Sequence, residues 1–177
     1  MTFTTTKLAN RTARLFRLDD AAKTRAHRSF RNMLTRNILP AVRDEDDERG
    51  TLVFDEAVGA TALILLCAAD MAIDARGLRN IADDLLKLDS VRNERPIDRL
   101  LNAARTKRED VAVVTKLTLQ DGKLTRVTFL DDPNDKPDGD AAEIIRASKA
   151  FNTDLVELRI EAGRFLVPFV AETGTAN

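Results

Sequence analysis

The chain has 177 residues, 44 % of them hydrophobic and 32 % charged, with a formal net charge of −1. This composition is typical of a soluble globular protein and excludes a disordered one, and the length suits one domain or two small ones. The one cysteine, Cys67, excludes an internal disulfide and favours a reducing compartment, so we expect a cytoplasmic protein. No apolar stretch reaches the roughly twenty residues of a spanning helix, and the first ten residues lack a signal-peptide pattern, so we expect no membrane partner.

The first 43 residues carry a strong excess of positive charge. They hold ten basic side chains and two acidic ones, which gives +8 and leaves −9 for the rest of a chain whose total is −1. A basic segment joined to an acidic body indicates contact with a polyanion, and nucleic acid is the first candidate. The alternative is a solvated helix surface, which usually mixes both signs. The ten basic residues are Lys7, Arg11, Arg14, Arg17, Lys23, Arg25, Arg28, Arg31, Arg36 and Arg43.

Two helices are predicted in this basic segment. One of the threonines at positions 4–6 can cap the first helix, and Asp19 or Asp20 can cap the second. Asn37 tolerates the left-handed backbone that ends a helix, and Pro40 prevents its continuation. Spacings of three and four divide the second helix into two stripes. The apolar stripe comprises Ala22, Ala26, Phe30, Met33 and Leu34, and the polar stripe comprises Arg25, Arg28, Asn32 and Arg36.

Three further helices are predicted after a charged loop at residues 43–50 and a short β-type run at residues 51–54. Asp55 can cap a helix that extends to about residue 70 and is apolar nearly all round, which is typical of a central core helix. Asp74 can cap the next helix, and Pro96 suits the first turn of the fifth. Dimerisation can use the sheet of the second half of the chain or the fifth helix, whose four apolar positions are spaced for packing on a partner. We expect a dimerisation surface on this helix. It would comprise Ile97, Leu100, Leu101 and Ala104.

The pattern changes to β-type after residue 110. Residues 111–119 and 124–130 flank Asp121-Gly122, which suits a tight hairpin turn. A polar connection at residues 131–140 leads to a predicted helix at residues 141–151. Residues 155–160 and 165–170 predict a second hairpin around Ala162-Gly163, and Pro168 indicates that its last strand is an edge. We expect eight apolar side chains to cover one face of the sheet: Leu117, Leu119, Val127, Phe129, Ile144, Leu158, Ile160 and Phe165.

Two segments of the basic half resemble a known family. Residues 29–40 (SFRNMLTRNILP) are similar to the second helix and following turn of MerR-type winged helix-turn-helix regulators, with Asn37 at the family's glycine position. Residues 50–56 (GTLVFDE) resemble the family's wing strand and the start of its next helix. Leu52 stands at the wing's basic position and Phe54 at its tyrosine position. The match covers about the first ninety residues, and the second half does not resemble the family's coiled-coil and effector region.

The resemblance of the first ninety residues, together with the change to a β-type pattern after residue 110, predicts an α+β protein in three parts. Residues 1–90 would form a winged helix-turn-helix-like DNA-binding domain, and residues 91–109 a connecting or dimerisation helix. Residues 110–177 would form a small antiparallel sheet-plus-helix domain for assembly or for binding a ligand or partner.

The resemblance also implies a DNA site on the second helix, about residues 22–36. Its polar stripe would lie in the major groove, where Arg pairs with guanine and Asn with adenine. The base-reading candidates are Arg25, Arg28 and Asn32. The remaining candidates would contact phosphates, which fix register without reading sequence. They are Thr5, Thr6, Lys7, Arg11, Arg14, Arg31, Arg36, Arg43 and Arg49.

No other chemistry is supported by the sequence. His27 is the one histidine and has no nucleophile motif beside it, so we expect no catalytic residues. The acidic runs at residues 44–48 and 131–140 lack the ligand order of a calcium loop. We therefore expect no metal and no cofactor.

Three functions follow in order of support. The first is a bacterial, nucleoid-associated transcription regulator that binds double-stranded DNA as a homodimer, with a transcription-machinery protein as a further partner. The second is an interaction adaptor, or an inhibitor of a nucleic-acid enzyme, that places the same basic helix against an acidic protein surface. The third, an enzyme with a pocket in residues 110–171, has no residue pattern in its favour.

Overall fold

The computed structural model describes residues 2–43, 47, 51–90, 92–120, 123–134 and 153–174. Within these residues, six helices and two antiparallel sheets follow one another along the chain. The predicted α+β class is therefore confirmed. The described residues include no helix that is both long enough and apolar enough to cross a membrane.

Six helices are described, and capping side chains explain where four of them begin. A side-chain oxygen before each of these four helices accepts a hydrogen bond from a backbone N–H of the first turn. That N–H has no carbonyl partner within the helix. The helices are α1 (Thr5–Phe16), α2 (Asp20–Thr35), α3 (Glu56–Asp70), α4 (Ala75–Leu86), α5 (Pro96–Arg105) and α6 (Ala162–Gly174). The caps of α1 to α4 are Thr4, Asp19, Asp55 and Asp74, whose oxygens accept from Lys7, Ala22, Val58 and Gly77 at 2.7–3.2 Å.

A short turn joins α1 to α2, and a small two-stranded sheet follows α2. Residues 17–19 join the two helices, and Arg17 has a positive φ of 52° there. Strand β1 (Val42–Arg43) pairs antiparallel with β2 (Leu52–Val53). Phe3 and Phe54 exchange two backbone hydrogen bonds of 2.8 and 3.0 Å, which anchors the amino-terminal segment beside β2.

The larger sheet has the strand order β4-β3-β5, with both neighbours antiparallel to the central strand. Its strands are β3 (Ala112–Gln120), β4 (Lys123–Asp131) and β5 (Thr153–Ile160). Gln120 pairs with Lys123, which confirms the pairing of the first predicted hairpin. Its turn, Asp121-Gly122, lies outside the described residues, as does the predicted helix at residues 141–151.

The predicted set of sheet-covering side chains is wrong for β4. Thr128 pairs with Thr115, and residues that pair directly share a face of the sheet. Val127 and Phe129 therefore lie on the face opposite to Leu117, and both are exposed. The hairpin pairing was predicted correctly, but the alternate residues of β4 were assigned to the wrong face, and an offset of one residue along a strand exchanges its two faces. The side chain of Leu119, and all of Ile144, lie outside the described residues.

The predicted second hairpin is also wrong, because residues 162–174 form α6 and not a strand. Ala162, Leu166 and Phe169 are fully buried at spacings of four and three, which is helical periodicity. Pro168 is inside this helix, with an exposed side chain, and does not mark a strand edge. A short apolar run does not distinguish a strand from a buried helix by periodicity alone, which explains the error.

One hydrophobic core joins the six helices and the larger sheet. Helix α3 is at its centre and buries residues on every side, as predicted. The core includes Leu8 and Phe30 from the amino-terminal helices together with Ile160 and Phe169 from the carboxyl-terminal part. Residues 1–90 and 110–174 thus share apolar packing across the predicted domain boundary.

Candidate nucleic-acid interface

Helix α2 has an apolar face that packs into the protein and a polar face that is open to solvent. The apolar residues Ala26, Phe30, Met33 and Leu34 are buried in the core. The polar stripe of Arg25, Arg28 and Asn32 is exposed, as is Arg36 at the end of the helix. The structure thus brings the predicted base-reading residues together on one accessible surface.

The three base-reading candidates lie close to a single line along the helix. At about 100° per residue, Arg25, Arg28 and Asn32 fall within an arc of about 60°. At about 1.5 Å per residue they extend over about 10 Å, the length of about three base-pair steps. This stripe consists of two forked donors and one amide, groups that match base edges in the major groove.

The exposed face of α2 is cationic with little internal neutralisation. Asp20 is the one acidic residue in the helix, and it lies in the first turn. No ion pair joins Arg25, Arg28 or Arg31 to an acidic group in the described part of the chain. Their positive charge therefore faces solvent and is available to an anionic partner.

The start of α1 confirms that one of the threonines at positions 4–6 caps this helix, and it places the other two beside His27. Thr4 is the cap, while the hydroxyl groups of Thr5 and Thr6 lie 3.3 and 3.5 Å from His27 Nε2. His27 thus connects α2 to the first turn of α1, a structural role. Lys7 and Arg14 are exposed on α1, so both remain accessible as phosphate contacts.

Arg11 is not a phosphate contact, and this prediction is wrong. Its side chain is 4 % exposed and lies between two aromatic rings, with Cζ 5.5 Å from the centroid of Phe3 and 4.4 Å from that of Phe169. Its Nη2 donates a hydrogen bond to the Phe169 carbonyl oxygen. The guanidinium fixes α6 to α1 and is inaccessible to DNA.

The predicted dimerisation surface on α5 is also wrong. Its apolar stripe packs within a single chain, because α6 returns to the helical layer and covers α5. A contact between two copies needs exposed side chains, and these four are buried. They are Ile97, Leu100, Leu101 and Ala104.

The small sheet contributes one accessible basic residue. Arg43 is exposed and pairs with Leu52, so the two side chains share a face. Arg49 lies outside the described residues.

One basic group beside α2 was not predictable from the local sequence pattern. Arg79 on α4 donates a hydrogen bond of 2.6 Å from Nη2 to the carbonyl oxygen of Arg36, at the carboxyl end of α2. A cation there stabilises the negative end of the helix dipole. The two residues are 43 positions apart, so no local pattern indicated their contact.

A second charged cluster, formed by Arg108 and Asp132, links two parts of the fold. Arg108 donates two hydrogen bonds to Asp132 at 2.6 and 3.1 Å, which connects the segment before β3 to the end of β4. These bonds hold the pKa of Asp132 below its usual value. Among the described residues, no three His, Cys, Asp or Glu side chains form a group that could hold a metal ion.

Comparison of the chain with protein-family models and with curated proteins finds no match.

Proposed function

We propose that this protein binds double-stranded DNA through the exposed face of α2 and regulates transcription. The observation that carries the proposal is the solvent-facing stripe of Arg25, Arg28 and Asn32 on a helix whose opposite face is anchored in the core. Two helices joined by a short turn and followed by a two-stranded sheet also agree with a winged helix-turn-helix reading of residues 1–90.

In this proposal α2 lies in the major groove, which admits a helix. Arg25 and Arg28 donate to guanine, and Asn32 exchanges two hydrogen bonds with adenine. The flanking basic groups contact phosphates and set the register of the helix. The proposed phosphate contacts are Lys7, Arg14, Arg31, Arg36 and Arg43, which are all exposed.

A homodimer remains part of the proposal, with a surface other than the buried stripe of α5. Two copies would place two α2 helices about 34 Å apart, one turn of DNA. The acidic remainder of the chain stays away from the duplex and is free to contact a protein of the transcription machinery. The place of action would be the bacterial nucleoid.

The second candidate is an adaptor that places α2 against an acidic protein surface. The exposed apolar side chain of Leu52, which lines a groove together with Leu34 of α2, favours it, because apolar groups suit a protein partner better than a phosphate backbone. Loss of a co-purified protein in an Arg28→Glu, Arg31→Glu variant with unchanged DNA affinity would favour the adaptor.

Selection from a random duplex pool tests the DNA proposal. The wild-type protein should enrich a defined motif. Arg28→Ala should relax the preference at one position of that motif, whereas Arg31→Ala should weaken binding to all sequences by a similar factor. Failure of the wild-type protein to enrich any sequence or to bind any duplex at low salt would refute the proposal.

A further inference from the structure

An open groove lies between the carboxyl end of α2, the small sheet and the last turn of α4. It has a volume of about 780 Å³. Leu34, Ile38 and Leu39 form its floor, and Leu52 and Leu86 contribute apolar walls. Leu52 is 42 % exposed at this position. Most of the groove's lining residues are thus apolar, and the groove lies at the carboxyl end of α2.

The backbone after α2 explains how the floor is formed. Asn37 has a positive φ of 51°, and the N–H of Ile38 donates to the carbonyl oxygen of Met33 at 2.8 Å. This turn reverses the chain two residues after α2 ends, and Ile38 and Leu39 line the groove together with Leu34 of α2. Both side chains are almost fully buried, so the floor is a fixed part of the core.

One basic side chain lines the groove and three more lie near it, and these four form its basic rim. Lys87 lines it, and Arg36 is adjacent to Asn37, another lining residue. Arg79 is held next to Arg36 by its hydrogen bond to the Arg36 carbonyl oxygen. Arg43 shares the face of the small sheet from which Leu52 lines the groove. Among the described residues, Asp83 is the one acidic side chain that lines it.

We infer that this groove binds a segment of another protein that carries apolar side chains flanked by Asp and Glu. The floor and walls match an apolar side-chain row, which in an amphipathic helix recurs at intervals of three and four residues. The basic rim complements acidic flanks. A phosphate backbone would satisfy the rim but would leave the apolar floor in contact with a polyanion.

This inference does not depend on the DNA proposal, because the binding is measured without DNA. The full-length protein is immobilised and used to select from a displayed library of 16-residue peptides. The tightest peptide is synthesised with a fluorescent label, and its dissociation constant is measured by anisotropy. We expect selected sequences with an apolar row at helical spacing and with net negative charge.

Three variants assign the peptide to the groove. Leu52→Glu places a charge on the apolar wall, and Lys87→Glu reverses part of the rim. Each should weaken peptide binding at least tenfold. Met71→Glu adds the same charge at an apolar side chain that is 52 % exposed elsewhere, and it should change the affinity less than twofold. Thermal melting verifies that each variant is folded. If Leu52→Glu does not fold, Lys87→Glu still tests the inference, because Lys87 is exposed.

Several results would overturn the inference. One is a selection that enriches no peptide or enriches basic ones, and another is an equal loss of affinity in Met71→Glu. A dimer that Leu52→Glu converts to a monomer in sedimentation velocity would assign the groove to a second copy of this chain. A tenfold loss of duplex affinity in Leu52→Glu, with no peptide bound by the wild type, would assign it to DNA.

Discussion

A guanidinium can be buried more readily than an ammonium because it is planar, delocalised and weakly hydrated. Arg11 uses this property, since its group packs on the rings of Phe3 and Phe169 and donates to a carbonyl oxygen of α6. Phe3 and Phe169 also stack on each other with centroids 5.6 Å apart. One side chain of the basic segment therefore connects the first and last helices of the chain.

We expect Arg11→Ala to lower the free energy of unfolding by about 2–4 kcal/mol, because it removes cation–π contacts and leaves a buried carbonyl oxygen without this donor. Chemical denaturation measures the change. Lys7→Ala on the exposed side of α1 is the matched control and should change stability by less than about 0.5 kcal/mol. Equal effects of the two substitutions would contradict a structural role for Arg11.

The thiol of Cys67 is expected to be unreactive. Burial, with a smaller contribution from the nearby Asp70 carboxylate, raises the pKa of Cys67 to about 11 from 9.0. Because the thiolate is the nucleophile, this shift lowers the reactive fraction about a hundredfold at pH 8. The native protein should react with a disulfide reagent about a hundred times more slowly than the unfolded chain, and its rate should rise about tenfold per pH unit up to about pH 10. A native rate close to that of the unfolded chain would refute this expectation.

Residue spacing alone predicted the candidate site on α2, because the two faces of a helix are set by local periodicity. Arg25, Arg28 and Asn32 are exposed and Phe30 is buried, as the spacing indicated. The burial of Arg11 was not predictable in this way, since its carbonyl partner is 158 positions away. A count of charges does not distinguish the buried Arg11 from the exposed arginines of the segment, because its burial depends on tertiary packing.

At the scale of elements, helix starts were predictable because a capping residue acts on the next three positions. Asp19, Asp55 and Asp74 all cap as expected. The end of the chain was not predictable by the same reasoning. Residues 165–170 are apolar on more than one side, and their conformation depends on the long-range contacts of α6 with α1 and α5.

The position of α6 allows us to predict how alanine at two glycine positions changes stability. A Cβ at Gly163 would lie 2.8 Å from backbone atoms of Arg108 and Glu109, which cannot move independently. Gly163→Ala should therefore lower the free energy of unfolding by about 1–3 kcal/mol. A Cβ at Gly59 would meet the rings of Phe3 and Phe169 at ordinary distances of 3.4 and 3.5 Å.

Gly59→Ala is the matched control for Gly163→Ala. It lies in α3, where alanine is favoured over glycine, and it should leave stability unchanged or raise it by up to about 1 kcal/mol. Thermal melting of both variants compares them directly. A larger loss in Gly59→Ala than in Gly163→Ala would mean that α6 does not approach the segment before β3 as closely as described.

At the scale of the whole molecule, charge and packing are organised in different ways. The sequence divides into a basic first part and an acidic remainder, which carry +8 and −9. The hydrophobic core makes no such division, since α1 and α3 both contact α6. The basic helix α2 is thus presented by a scaffold that includes the last helix of the described chain, and its position depends on the fold of both parts.

The most direct test of the proposal that α2 binds DNA is the salt dependence of duplex affinity. As the salt concentration rises, the wild-type association constant should fall. A plot of its logarithm against the logarithm of the salt concentration should have a slope of about −0.9 per neutralised phosphate. Arg25→Gln with Arg28→Gln should weaken binding at least tenfold. Lys107→Gln with Arg164→Gln removes the same charge from exposed sites outside α2 and should change affinity less than twofold. Equal losses in the two variants, or no wild-type binding at about 50 mM salt, would contradict the proposal.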